Sequence, residues 1–290
     1  MLKKRIVGLL VVKDGIVVQS IGFRRYLPVG SVIVCAEFLN NWGIDEIVIL
    51  DIDATIQKRK PDFDLVSKVS KKVFVPLTVG GGIGRLDDIK KLIHCGADRI
   101  SINKKALIKP KFIEKAAKVF GNQCIVVSID VGFNKDGNYE VFTDSGQIPA
   151  GINPVKLAKQ VEESGAGEIL LNSIERDGSK KGYDIELFRQ ITDCVSIPVI
   201  GCGGVGQPLH FLKGILKGNI SAAVAGNFFH FTEHSPILVK AYLIKNGIDI
   251  MLDTYADYKN IDFDDLGRIK KRSEEYLEKL RFEYLPKEVI

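Results

Sequence analysis

Two glycine clusters, each directly after an apolar run, are the residues whose type and spacing most clearly indicate chemistry. The first is Gly80-Gly81-Gly82 in PLTVGGGI, and the second is Gly203-Gly204 in PVIGCGGV, 122 positions further on. Glycine after a strand lets backbone N–H groups approach an anion closely, and the N-terminus of a following helix adds favourable partial charge. The matched clusters predict two phosphate sites related by a pseudo-twofold axis, and hence an elongated ligand with a phosphate at each end.

Polar residues at two further strand ends complete the predicted phosphate sites. Asn103 and Lys104 follow one apolar run, and Gly226 and Asn227 follow another at almost the same offset. Ammonium, amide and backbone N–H groups all donate hydrogen bonds to phosphate oxygens. These patterns assign to phosphate the residues Gly81, Gly82, Asn103, Lys104, Gly203, Gly204, Gly226 and Asn227.

The same 122-residue offset relates positions far from the glycine clusters. It pairs Gly43 with Gly165, Glu46 with Glu168, Asp62 with Asp184, and Gly96 with Gly218. A period this long is not that of a solenoid, whose repeats span about 20–50 residues. The sequence therefore predicts two copies of one half-domain.

Short apolar runs alternate with amphipathic stretches along most of the chain. Eight runs are predicted strands: Ile6–Val12, Ile47–Ile52, Val75–Val79, Arg99–Asn103, Ile125–Asp130, Ile169–Ile174, Val199–Cys202 and Ala222–Gly226. Predicted helices between them include Pro61–Lys72, Leu86–His94, Pro110–Phe120, Pro154–Ser164, Tyr183–Cys194 and Pro208–Lys217. This alternation predicts a parallel sheet covered by helices, as in an open doubly wound sheet or a barrel. Duplication into two four-strand halves favours a single α/β (β/α)8 TIM barrel.

Two insertions and a tail interrupt this pattern. A predicted long loop, Gly15–Gly30, follows the first strand, and Phe133–Gly151, with a hairpin arm at Tyr139–Thr143, follows the fifth. Barrel active sites form at the C-terminal ends of strands, so both insertions are predicted to cover a ligand. The barrel is assigned to residues 1–253 and an extension to 254–290. Within it, Phe263–Leu285 has apolar residues at helical spacing, which predicts a helix that packs on the barrel or docks a partner.

Composition narrows the class of protein. The 290 residues carry a net charge of +5, with basic and acidic residues interspersed. The longest basic clusters lack interleaved aromatic residues, so nucleic acid is disfavoured and an anionic small molecule fits better. No stretch approaches the roughly 20 apolar residues of a membrane-spanning helix, which argues against membrane insertion.

The cysteines and histidines indicate neither a disulfide framework nor a metal site. The five cysteines form no CxxC pair and have no metal-ligand spacing, so they are interpreted as reduced thiols of a cytoplasmic protein. The apolar run near the N-terminus is too short for a signal peptide and is interpreted as a buried strand. We expect no metal and no cofactor.

Several segments resemble HisF, the cyclase subunit of imidazole glycerol phosphate synthase. They are VGGGI, GADRISIN, VVSID, GAGEILL, SIERDG and FHF, and the similarity covers residues 1 to about 252 almost without gaps. The related isomerase HisA shares the half-barrel glycines but fits less well around SIERDG and FHF. Within the SIERDG segment, the resemblance adds Asp177 and Gly178 to the phosphate-binding residues.

The resemblance also implies a partner. In the HisF family a HisH-type glutaminase docks at the N-terminal face of the barrel, and its ammonia travels through the barrel core to a substrate with two phosphates. By resemblance, Arg5, Glu46, Arg99 and Glu168 form the charged ring at the tunnel mouth. Two cations and two anions at the starts of strands would satisfy one another's charge; a surface salt-bridge set is the alternative. Asp98 matches a family position at the subunit interface.

The sequence departs from the family at a catalytic position. HisF uses two aspartates as general acid and base, and Asp130 fills one of these roles by resemblance. Aligning the two halves places Val11 at the other, and valine cannot transfer a proton. Such a loss costs about 10²–10⁴ in rate. The family's loop-1 lysine is also replaced, by Gln19, and its tunnel lysine by Arg99.

Three functions fit this pattern. Val11, Gln19 and the Pro61–Leu65 segment resemble HisF-like paralogues associated with acetamidino modification of bacterial surface sugars. There the barrel and a HisH-type glutaminase are thought to supply ammonia to a separate sugar amidotransferase. The second hypothesis is a cyclase of histidine biosynthesis that works without the aspartate. The third is a non-catalytic scaffold that activates the glutaminase.

Overall fold

The computed structural model describes residues 3–231, 234–253, 258 and 261–279. Within them, eight parallel strands close into a barrel in the order β1-β4-β5-β6-β7-β10-β11-β12, with β12 paired to β1. Their bounds are β1 Arg5–Lys13, β4 Glu46–Asp51, β5 Leu77–Gly80, β6 Arg99–Ile102, β7 Ile125–Phe133, β10 Glu168–Ser173, β11 Val199–Cys202 and β12 Ala222–Ala225. Closure of the sheet confirms the predicted (β/α)8 barrel and excludes the open alternative.

Helices follow the barrel strands, and most of them pack on the outer faces of those strands. They are α1 Val32–Asn41, α2 Ile52–Ile56, α3 Phe63–Ser70, α4 Leu86–His94, α5 Lys104–Ile108, α6 Lys111–Phe120, α7 Pro154–Glu163, α8 Ile185–Thr192, α9 Pro208–Gly218, α10 Ser235–Lys245 and α11 Glu274–Lys279. Two short 3₁₀ turns occupy Asn122–Cys124 and Asn227–Phe229.

Alternation along the strands divides the apolar residues into two layers. On β1, Ile6 and Leu10 belong to the outer core beneath the helices. Val7 and Leu9 belong to a separate inner cluster with residues of β4, β7, β10, β11 and β12. Successive side chains of a strand point to opposite faces, so the inner cluster fills the barrel axis.

The repeated residues have matched structural roles. Asp62 caps α3 by accepting a hydrogen bond from the Leu65 N–H (2.9 Å), and Asp184 caps α8 in the same way through Leu187 N–H (3.1 Å). Gly81 lies so close to the Asp51 carbonyl that an added Cβ would be 2.3 Å from its oxygen. The related Gly203 would place a Cβ 2.7 Å from the Ser173 oxygen. The duplication therefore preserves helix caps and close backbone contacts.

Both insertions are antiparallel sheet extensions. The first, predicted as a loop, is a hairpin of β2 (Ile16–Ile21) and β3 (Arg25–Gly30). The second contains β8 (Tyr139–Thr143), which confirms the predicted hairpin arm, and β9 (Ile148–Pro149). Each is continuous with the long barrel strand that precedes it, because β2 pairs with β1 and β8 pairs with β7.

The predicted C-terminal helix over 263–285 is wrong in its first part. Residues 261–273 are irregular, with a bridge between Phe263 and Ile269, and among the described residues of this segment the helix is α11. A glycine at 267 with positive φ reverses the chain between the bridged residues. Residues 280–290, including Leu280, lie outside the described residues.

Candidate active site

A cavity of about 570 Å³ opens at the C-terminal ends of the barrel strands. The ends of β1, β4, β6, β7, β10 and β11 form its floor, and both insertions contribute to its walls. Asp130 and Val11 line the same cavity, as the alignment of the two halves predicts. One half of the barrel thus contributes a carboxyl group to this space and the other contributes methyl groups.

Burial controls the protonation of Asp130. It raises the pKa of Asp130 to about 7, and the neighbouring Asp177 carboxylate acts in the same direction. The Asn103 amide opposes the shift by donating to Asp130 Oδ2 (2.9 Å), and it also donates to the Ser128 carbonyl (3.1 Å). A carboxyl group that is half ionised near neutral pH suits general acid–base chemistry.

The first predicted phosphate cluster lines the cavity. Gly81, Gly82, Asn103 and Lys104 all contribute to its wall. The Lys104 ammonium donates to both carboxylate oxygens of Asp144, at 2.8 and 2.7 Å. No sequence pattern indicated Asp144, which reaches the site from the distant second insertion.

The second predicted cluster contacts the β2–β3 hairpin through Asn227. The Asn227 amide donates to the Ser20 carbonyl (2.7 Å) and accepts from the Ser20 N–H (3.3 Å). Gly178 packs so tightly on this hairpin that an added Cβ would be 2.8 Å from the Ser20 oxygen. Gly203, Gly204, Gly226 and Asn227 are not among the described residues that line the cavity. The two predicted phosphate clusters therefore have different surroundings.

Asp177 connects the β2–β3 hairpin to the cavity. Its carboxylate accepts from the Ser20 hydroxyl (2.6 Å) and the Phe23 N–H (3.2 Å), and its carbonyl accepts from the Gly22 N–H (3.1 Å). Burial raises the pKa of Asp177 in spite of these bonds. Asp177 lines the cavity and anchors the hairpin at the same time.

Several cavity residues were not assigned from the sequence. Tyr26 projects from β3, and burial, followed by the fields of Asp177, Asp53 and Asp130, raises its pKa to about 12. Arg59 pairs with Asp51 at 2.7 Å. Asn172, paired in register with Asp130, has a buried Oδ1 that accepts no hydrogen bond from any described residue. Of these three residues, only Arg59 belongs to one of the longest basic clusters of the sequence, Lys58-Arg59-Lys60.

The four residues of the predicted charged ring meet at the opposite end of the barrel. Arg5 and Arg99 each donate to Glu46 Oε2 at 2.7 Å. Both arginines also contact Glu168, Arg99 at 3.4 Å. The Thr78 hydroxyl donates to Glu46 Oε1 (2.9 Å), which fixes the orientation of that carboxylate. The ring lies at the N-terminal ends of strands β1, β4, β6 and β10.

Alternating charges stabilise this ring. Burial opposes the charged form of Arg5, but Glu168 and Glu46 outweigh it and raise its pKa. The two glutamates are buried while the arginine side chains keep 25% and 27% exposure. The arginines are partly accessible to solvent, whereas the glutamates are buried. The four residues therefore form a buried ion-pair network at the end of the barrel axis, not a set of surface ion pairs.

Apolar side chains separate the charged ring from the cavity. The inner cluster contains Val7, Leu9, Val48, Val126, Leu170, Ile200, Cys202, Ala222 and Val224. Polar residues return above it, where Ser101, Ser128 and Asp130 line the cavity. The barrel axis therefore passes from charged to apolar to polar surroundings.

The predicted interface residue Asp98 lies at the same end as the ring. Its exposed carboxylate accepts a hydrogen bond from the Leu77 N–H (2.8 Å), and it borders a depression that also contains Phe74. The Phe74 side chain is 90% exposed. Aromatic side chains are enriched in protein interfaces, so an exposed phenyl ring at this end is a candidate contact for a partner.

Neither a metal cluster nor a membrane-spanning helix is present in the described part of the chain. No three His, Cys, Asp or Glu side chains among those residues are grouped so that they could hold a metal ion. Their helices are all too short or too polar to cross a bilayer.

A closed (β/α)8 barrel with duplicated strand-end glycines is the architecture of a known family. The family model described as "Histidine biosynthesis protein" matches residues 5–235, and the chain belongs to this family. Within it, the chain belongs to the HisF family. It is 45% identical over 253 residues to "Imidazole glycerol phosphate synthase subunit HisF" of Clostridium botulinum (strain Okra / Type B1), covering 87% of this chain and 100% of that protein.

A second type of relative aligns over a longer stretch. The chain is 45% identical over 269 residues to a Vibrio vulnificus (strain YJ016) protein named "Putative imidazole glycerol phosphate synthase subunit hisF2". This alignment covers 92% of the chain and 98% of that protein. Similarity to hisF2 thus extends over more of the chain than similarity to HisF.

Proposed function

We propose that this chain is a synthase subunit that receives ammonia from a HisH-type glutaminase and delivers it through the barrel to a phosphate-binding site. The arrangement along the barrel axis carries this proposal. A charged ring closes one end, an apolar layer follows, and Asp130 lies in the cavity at the other end. Neutral ammonia crosses an apolar layer at far lower cost than a charged or strongly hydrated solute.

The cavity supplies donors and acceptors for a nitrogen-transfer reaction on an anionic substrate. Lys104 and the backbone around Gly81 offer donors to a phosphate, while Asp130 can accept or return a proton near neutral pH. The Asn172 Oδ1 atom offers an acceptor to an N–H or O–H group of a ligand. These roles need no metal or cofactor.

We further propose that the acceptor of the ammonia belongs to bacterial surface-polysaccharide biosynthesis, through acetamidino modification by a separate sugar amidotransferase. Val11 supports this proposal, because it removes one carboxyl group of the acid–base pair used for cyclisation. The longer alignment with the hisF2 protein also supports a branch distinct from HisF.

The alternative is a cyclase subunit of imidazole glycerol phosphate synthase in histidine biosynthesis, favoured by the names of the relatives and by Asp130. Complementation of a histidine auxotroph that lacks HisF, with a HisH-type glutaminase present, separates the two. We expect no growth with the wild-type chain and partial growth with Val11→Asp. Growth with the wild type would contradict the polysaccharide proposal and show that the chain is an active cyclase subunit.

A third candidate is a scaffold that only activates the glutaminase. It predicts that Arg99→Met leaves nitrogen transfer and glutaminase binding unchanged, since no ammonia would pass the ring. Channelling predicts that the Arg99→Met complex still assembles, but releases more of its ammonia to solvent. Ammonia released per glutamine hydrolysed, measured on the purified complex, decides between them.

A further inference from the structure

The two insertions contact the two predicted phosphate clusters at equivalent positions in the two halves. The insertion after β1 contacts the end of the neighbouring strand β12, and the insertion after β7 contacts the end of the neighbouring strand β6. Ser20, in the insertion after β1, holds Asn227 after β12, and Asp144, in the insertion after β7, holds Lys104 after β6. Strand pairs β12–β1 and β6–β7 are neighbours in the barrel, so the pseudo-twofold relation extends to these contacts.

The two contacts differ in charge. Asn227 binds the Ser20 backbone through a neutral amide, whereas the Lys104 ammonium binds a carboxylate at two oxygens. The Asp144 carboxylate keeps only 12% of its exposure, while Lys104 keeps 39%. The only positive charge assigned to phosphate from the sequence is thus already paired with an anion of the same chain.

The turn that carries Asp144 forms part of the cavity wall. Asp144 and Ser145 both line the cavity and both have positive φ, at 51° and 57°. Left-handed backbone at two successive non-glycine residues is unfavourable, and contacts made by the turn must maintain it. Those contacts include Ser145 Oγ with the Ile52 carbonyl (3.4 Å). Gly146 lies so near the Phe23 ring that an added Cβ would be 2.9 Å from it.

We propose that Asp144 is an internal competitor for the anion site at Lys104, and so determines which ligands that site accepts. The proposal rests on the phosphate-binding function proposed above. A ligand anion must displace the single negative charge of the Asp144 carboxylate, so a phosphate dianion is favoured over a monoanion. Displacement also frees the 143–147 turn from Lys104.

The test is a calorimetric titration of inorganic phosphate at pH 8 and constant ionic strength. Removing the competing charge with Asp144→Asn should tighten phosphate binding at least about fivefold, because the cation no longer has to leave a partner first. Acetate should gain more than phosphate, so the preference for the dianion should narrow. Asp136→Asn, an exposed site in the same insertion with the same charge change, should leave binding unchanged.

Three outcomes would overturn the proposal. Equal or weaker phosphate binding by Asp144→Asn would show that Asp144 orients Lys104 rather than competing for it. An equal gain in Asp136→Asn would assign the effect to net charge alone. If the wild type, Asp144→Asn and Lys104→Met all fail to bind phosphate, the proposal of a phosphate site is wrong, and so is the proposal that Asp144 competes for it. Thermal unfolding confirms folding of each variant, with Asp144→Ser as a second substitution.

Discussion

At the scale of residues, the cavity is defined by an imbalance between two equivalent strand ends. Asp130 on β7 and Val11 on β1 occupy related positions, yet only Asp130 can exchange a proton. Sequence comparison of the two halves was sufficient to find this imbalance. It could not show that Asp130 titrates near neutral pH, because that depends on burial and on Asp177.

The raised pKa of Asp130 predicts a specific pH dependence of stability. In an unfolded chain its pKa is about 3.8, so the folded state binds this proton more tightly than the unfolded state. Its contribution to the free energy of unfolding is therefore greatest below about pH 4 and declines as the pH rises to about 7. Asp130→Asn removes the ionisation and should be more stable than wild type at pH 8, by up to about 4 kcal/mol.

This prediction is checked by urea unfolding of both proteins between pH 4 and pH 8. The difference in unfolding free energy should grow across this window and level off above about pH 7. If the difference stays constant with pH, the pKa of Asp130 is not raised in the folded protein.

At the scale of elements, the segment 261–269 is part of the packing of the barrel. The Leu266 carbonyl accepts from the Leu209 N–H (3.1 Å), one of the amides at the start of α9 that has no partner inside the helix. Phe263 packs edge-on against Tyr242 of α10, with ring centroids 5.4 Å apart, and Asp262 pairs with Lys245 (2.9 Å). The segment thus links the last two barrel helices.

Phe263→Ala should reduce stability measurably. Loss of a partly buried aromatic contact is expected to cost about 1–2 kcal/mol, lowering the melting temperature by a few degrees. Tyr276→Ala, in the exposed helix α11, should change the unfolding free energy by less than about 0.5 kcal/mol. If both variants melt like the wild type, the segment 261–269 does not stabilise the barrel.

The elements also show where sequence patterns were sufficient. Barrel strands were found to within a few residues, because continuous apolar runs bounded by glycine and charge are distinctive. The β2–β3 hairpin was taken for a loop because Arg24 and Arg25, with Gly22 at the turn, interrupt its alternation. Helix α10 is buried on most sides, so it lacks the amphipathic stripe that marks a surface helix.

At the scale of the whole molecule, the two ends of the barrel have different chemistry. The cavity and both insertions lie at one end, and the charged ring, Asp98 and Phe74 lie at the other. A glutaminase docked at the ring end would release ammonia directly onto the barrel axis. The Phe74 ring, 90% exposed, is an apolar group that such a partner could bury there.

Phe74→Asp should therefore weaken binding of a HisH-type glutaminase at least about tenfold, because it places a charge in a buried interface. Affinity measured by calorimetry or surface plasmon resonance checks this. Ile148→Asp makes the same change at an exposed apolar residue of the opposite end and should bind normally. Unchanged affinity for Phe74→Asp, or equal loss for Ile148→Asp, would place the partner elsewhere.

The sequence by itself determined the duplicated barrel, the residues of the charged ring and the missing carboxyl group at Val11. These follow from local periodicity, from a repeat that can be read by alignment, and from family resemblance. Only the tertiary structure decided that Asp144 pairs with Lys104, that Ser20 covers Asn227, and that burial raises the pKa of Asp130. Those features join residues 40 to 207 positions apart, and such contacts depend on how the barrel closes and how its two insertions fold back over it.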